Sequence, residues 1–171
     1  MRFSYRARVL ATTSLLCFGL GTVQAAGYQT PPEPLLSVLR APLFPVPLLD
    51  PTGKTLLLVK QNPFPSIARL AEPYLKLGGV RVEPRSHSRH DMASGYGIRT
   101  CLEGFSLVDV ASGRETKVEL PNGSCPDWPT WSADGARFAF DNTAADKVEL
   151  WVGDSHTGKV RRIEGVQLNP I

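Results

Sequence analysis

The sequence of 171 residues is short of cysteine, histidine and aromatic residues, with three Cys, three His and 8% Phe, Trp and Tyr. No two cysteines form a Cys-x-x-Cys pair, and His87, His90 and His156 complete no zinc spacing with them. Neither a metal site nor a cofactor site is therefore expected. A Gly-x-Ser-x-Gly nucleophile elbow is also missing. Gly104-Phe105-Ser106-Leu107 lacks the second glycine and alternates like a strand, so no catalytic residue is assigned. The apolar run from Val9 to Leu20 is too short to span a bilayer comfortably, and no later run is longer. An excess of one charge is absent as well. The first 25 residues hold Arg2, Arg6 and Arg8 and no acid, which leaves sixteen basic against sixteen acidic residues in the rest. The pI near 8.9 belongs largely to the N-terminus. A nucleic-acid partner is not expected.

The same three arginines, the apolar run and Val23-Gln24-Ala25 make the three-part pattern of a secretory signal peptide, cut after Ala25. The competing reading is an uncleaved anchor. Cleavage predicts an exported, periplasmic or extracellular protein with no stable membrane insertion. Outside the cytoplasm, Cys101 and Cys125 either form a disulfide or remain two buried thiols, since spacing alone does not decide it.

Thr30-Pro31-Pro32-Glu33 has the pattern of a helix start, with Thr30 and Glu33 as a capping box. Residues 41–47, with Pro42, Pro45 and Pro47, are expected to be extended and irregular. Lys54–Lys60 has the pattern of a buried strand after a turn, and Ser66–Glu72 that of one or two helical turns stopped at Pro73. Residues 83–97 are polar and are expected to form a mobile loop in which His87 and His90 are solvated. Arg85 and Arg89 of that loop are weak candidates for substrate contact, against the simpler reading of solvated charges.

From Gly104 onward the pattern becomes strand, x-Gly turn, strand. Leu107-Val108-Asp109-Val110-Ala111-Ser112-Gly113-Arg114 is echoed by Val152-Gly153-Asp154-Ser155-His156-Thr157-Gly158-Lys159. The offset of about 45 residues is the period of a four-stranded propeller blade. Asp50-Pro51-Thr52-Gly53-Lys54 is likewise echoed by Ser132-Ala133-Asp134-Gly135-Ala136. The expected fold is all-β with short N-terminal helices: a partial β-propeller of about three antiparallel blades, not closed. Its parts are a signal peptide (1–25), an N-terminal extension with a first irregular blade (26–103) and blade repeats (104–171). Trp128, Trp131 and Trp151 are expected in the core. Asp127, Asp134 and Asp141 are expected at turns or strand ends.

Trp131-Ser132-Ala133-Asp134-Gly135-Ala136-Arg137-Phe138-Ala139-Phe140, followed by Glu149-Leu150-Trp151-Val152, resembles the blade motif of the prolyl oligopeptidase family of serine peptidases. Ala133 replaces the usual proline. Tyr28 to Glu33, Arg40-Ala41-Pro42, Pro65 to Pro73 and Leu75 to Val82 resemble the N-terminus of its glutamyl-endopeptidase-like members. The resemblance implies an inactive N-terminal propeller portion of an exported serine peptidase, in which the propeller gates peptide substrates. A free-standing periplasmic binding module is the alternative. Open blades also imply self-association.

Overall fold

The computed structural model describes residues 27, 29–62, 64–92 and 97–169, and the expected signal peptide lies outside them. The chain divides into two compact units, residues 1–41 and 42–171. In the first, α1 (Glu33–Leu39) begins later than the capping box required. The Pro32 carbonyl accepts the Leu35 and Leu36 N–H groups at 2.9 and 3.1 Å. Pro32 is thus the N-cap, without a side-chain cap, and Thr30 lies two residues outside the helix. The residue before a proline is biased away from helix, and Pro31 precedes Pro32. Among the described residues, no helix is long and apolar enough to cross a membrane.

The second unit is mostly β, with antiparallel sheets, none of them closed. Sheet 1 contains β1 (Val46–Leu49), β2 (Thr55–Lys60), β5 (Gly104–Asp109) and β6 (Glu115–Lys117), in that order. Sheet 2 is the meander β7 (Pro126–Trp131), β8 (Arg137–Thr143), β9 (Val148–Asp154) and β10 (Val160–Leu168). Between β2 and β5 lies an insert that carries α2 (Ile67–Leu70) and the hairpin β3 (Leu75–Leu77) and β4 (Val80–Val82). The described residues therefore form two four-stranded sheets and, in the insert, the two-stranded sheet β3–β4. The division at residue 103 does not separate sheets, because β2 pairs along its whole length with β5. β1 lies where an irregular segment was expected. Its Pro47 is tolerated because β1 is an edge strand, where a missing N–H breaks no ladder on the open side.

The two sequence echoes are also structural. Asp50 N–H donates to Thr55 O as Ser132 N–H donates to Arg137 O, both at 2.9 Å. Gly113 N–H donates to Asp109 O at 2.8 Å, and Gly158 N–H to Asp154 O at 2.9 Å. Asp109 and Asp154 each close the turn with a carboxylate that accepts the N–H three residues on, both at 2.8 Å. Gly135 must be glycine: its φ is +69°, and a Cβ there would lie 2.4 Å from Asp50 Oδ2.

Matching the turns matches the faces. Leu57 and Val59 of β2 correspond to Ala139 and Asp141 of β8, and Phe105 and Leu107 of β5 to Leu150 and Val152 of β9. The pairing register agrees: Leu57 faces Leu107 and Val59 faces Phe105, while Ala139 faces Val152 and Asp141 faces Leu150. The core joins the Leu57, Val59, Phe105 and Leu107 face of sheet 1 to the Phe138 and Phe140 face of sheet 2. Phe105 meets Phe140 edge-on at 5.2 Å between centroids, and Trp131 donates to Leu48 O at 3.0 Å. Gly153 leaves room for Phe138, whose ring would lie 2.2 Å from a Cβ there. The packing is thus head-to-tail, with one face of sheet 1 against the non-equivalent face of sheet 2.

Candidate functional site

The insert reaches sheet 2 near the start of β7. A disulfide joins Cys101 to Cys125, with the Cα atoms 4.7 Å apart. Beside it Arg99, 8% exposed, sends Nη2 to Thr143 Oγ1 at 2.5 Å and places Nε 3.4 Å from Asp127 Oδ2. Arg69 of α2 ties the insert together. It pairs with Glu72 and Glu83, and its Nε donates to the Arg99 carbonyl at 3.1 Å.

These contacts border a depression of about 580 Å3, lined by Leu43, Val46, Arg89, Met92, Arg99 and Trp128 among others. Arg89 Nε and Arg99 Nη1 are buried there without a hydrogen-bond partner. Of the two candidate arginines, Arg89 lines this depression while Arg85 is exposed elsewhere. Trp128 was expected in the core; it is 55% exposed, on a bulge of β7 with φ +48°. Trp131 and Trp151 do pack against the core.

The loop reading of residues 83–97 needs correction over the described residues 83–92. His90 is fully buried, its ring tilted against Tyr74 at 4.9 Å between centroids, with Nδ1 3.5 Å from Glu83 Oε1. Ser86 and Ser88 are buried too and bond each other at 2.9 Å. The segment is held because Arg81 pairs with Asp91 at 2.6 Å and His90 N–H donates to Arg81 O at 2.8 Å. His87 alone of the two histidines is exposed. Neither ring nitrogen of His90 has a hydrogen-bond partner, and Ser86 Oγ and Ser88 Oγ pair with each other instead. Among the described residues, no group of three or more His, Cys, Asp or Glu is placed to hold a metal ion.

Two buried carboxylates of sheet 2 show opposite electrostatics. Burial disfavours the charge on Glu149, but hydrogen bonds from Trp151 Nε1, Arg162 Nη1 and Asn142 Nδ2 hold its pKa below the usual range. Asp141 has no such set of side-chain donors, only the Asp127 backbone N–H. Burial pushes its carboxyl up to about 6, against the opposing charge of Arg99 and with that of Asp127. Asp141 is not a turn or strand-end residue; it lies within β8 on a sheet face, 6% exposed. Asp134 does serve a turn, accepting from Ser132 Oγ at 2.6 Å and Ala136 N–H at 3.0 Å. The signal that could have revealed Asp141 was in the echo, since it occupies the position of Val59.

No protein-family model matches the sequence. The chain is 32% identical over 145 residues to "Probable glutamyl endopeptidase, chloroplastic" of Oryza sativa subsp. japonica, a match covering 79% of this chain and 15% of that protein. It is 32% identical over 142 residues to the Arabidopsis thaliana protein of the same name, covering 79% of this chain and 14% of that one. The chain is thus similar to a region of two proteins named as peptidases, and it spans about one seventh of the length of these curated relatives.

Proposed function

We propose that residues 42–169 are two consecutive blades of a propeller-type repeat, a non-catalytic part of a peptidase-related protein in which the blades gate access of peptide substrates. The observation that carries this reading is the head-to-tail packing of equivalent sheets. Such an interface does not close on itself; it leaves an equivalent face open for the next sheet, and repetition makes a ring or an open stack. The open face is Ala139, Asp141, Leu150 and Val152. The similarity to two glutamyl endopeptidases supports the peptidase context. An oxidising compartment suits the Cys101–Cys125 bridge, and we place the protein among exported ones on that ground and on the leader pattern.

A second reading, a free-standing binding module, is favoured by the Arg89–Arg99 depression. Two buried guanidinium N–H groups without partners suit a carboxylate, such as an acidic peptide side chain. One experiment separates peptidase from non-catalytic module. The purified protein is treated with a fluorophosphonate probe and with glutamyl peptides. Neither labelling nor turnover is expected, and stoichiometric labelling of any serine would overturn the reading.

A further inference from the structure

The open face of sheet 2 contains a cleft of about 290 Å3 lined by Trp128, Thr130, Ala139, Asp141, Leu150 and Leu168. Its walls are mostly apolar, yet Asp141 Oδ1 is buried with no hydrogen-bond partner. On the covered face of sheet 1 the equivalent residue is Val59, 4% exposed in the core. A face meant only for apolar packing would repeat the valine. A buried carboxylate instead requires a donor, and leaving it unpaired is costly.

The charges around Asp141 define that donor. Arg99 from the insert and Asp127 from β7 are the charged groups that act on it. Two carboxylates and one guanidinium leave the cluster one positive charge short. Arg99 donates Nη2 to Thr143 and pairs through Nε with Asp127; its Nη1 has no partner and makes no hydrogen bond to Asp141 Oδ1. One oxygen is orphaned, which suits the point charge of an ammonium better than the two-pronged fork of a guanidinium. The apolar walls suit an aliphatic stem, and the exposed Trp128 ring borders the place where an ammonium would enter.

We propose that the Asp141 cleft takes a lysine side chain, carried by the sheet that continues the head-to-tail repeat over this face. The assignment rests on the blade reading above and names what the next blade presents. The lysine ammonium pairs with the ionised carboxylate, so below the titration of Asp141 its entry displaces the carboxyl proton to solvent. Binding therefore strengthens as pH rises through that titration and levels off above it.

The probes are acetyl-Leu-Lys-Leu-amide and the same peptide with norleucine in place of lysine. Binding is followed by the amide NMR shifts of Ala139 and Leu150 and by tryptophan fluorescence. At about pH 7 the lysine peptide is expected to bind about tenfold more tightly than the norleucine peptide. The preference shrinks at about pH 5, where the carboxyl holds its proton. Asp141→Asn removes it, with circular dichroism showing the same fold. Equal binding of the two peptides, or a lysine preference that survives in Asp141→Asn, overturns the lysine assignment and leaves the apolar face as a docking surface. Binding of neither peptide also overturns it; the blade reading is then decided separately, by the association of the unmodified protein.

Discussion

Sheets 1 and 2 are built from the same turns and the same register, yet one face of the first is covered and the equivalent face of the second is not. In sheet 1 that face is Leu57, Val59, Phe105 and Leu107, all buried. In sheet 2 it is Ala139, Asp141, Leu150 and Val152, of which Asp141 alone is buried. The difference shows that turn chemistry fixes how a sheet is made, while the neighbouring sheet fixes which face becomes core. It also shows where a repeat departs from itself. Sheet 1 accepts a long insert between β2 and β5, whereas β8 and β9 are joined by four residues, 144–147.

The comparison can be broken most strongly at the shared core. Phe138→Ala removes a fully buried ring that touches both sheets, and a loss of about 4 kcal/mol is expected by chemical denaturation. A loss below about 1 kcal/mol would mean that the sheets are not packed through this face. Next comes the tie between the insert and sheet 2. Replacing Cys101 and Cys125 together by serine opens a loop with a sequence separation of 24. A loss of about 3 kcal/mol is expected under oxidising conditions, and none once the parent protein is reduced.

Asp141 sharpens the comparison through pH. Its carboxyl is raised from 3.8 to about 6 in the folded protein, so the native state holds the proton more tightly than the unfolded chain. The contribution of Asp141 to stability is then fully present below about pH 4 and is lost as pH rises to about 6, by about 3 kcal/mol at most, opposite in sign to that of the carboxylates held low, such as Glu149. Asp141→Asn is expected to flatten that slope and to raise stability near neutral pH. Thermal unfolding across the range checks it, and an unchanged slope in the variant would assign the dependence to another group. The smallest effect is expected for Trp131→Phe. It keeps the packing but removes the hydrogen bond to the Leu48 carbonyl that bridges the sheets, at about 1 kcal/mol.

Much of this was legible in the sequence wherever local chemistry decides. The x-Gly turns at Gly53, Gly113, Gly135 and Gly158 need positive φ, and the strands beside them follow from alternation. The two echoes pointed to a repeated sheet. What was not legible depends on distant partners. β1 is obscured by its Pro47 and exists because β2 pairs with it. The segment around His90 resembles a solvated loop by composition, and is buried because Tyr74, Arg81 and Glu83 meet it in space. The pairing of β2 with β5 across the insert leaves no local trace. The sequence singled out Arg89, which lines the depression, but not Arg99 or Asp141, since each takes its meaning from the other's neighbourhood.

The central claim is that the packing of sheet 1 on sheet 2 is one step of a repeating arrangement whose next seat is open. Light scattering over a concentration series, on the unmodified protein and on Val152→Glu, tests it most directly. Sheet 1 of one copy presents Leu56, Leu58 and Val108, the equivalent of the face by which sheet 2 packs, so copies should add head-to-tail without a fixed end point. The account predicts that the mass of the unmodified protein climbs with concentration past a dimer and that Val152→Glu holds it at the monomer. A monodisperse monomer at every concentration, or a closed dimer indifferent to Val152→Glu, would contradict it.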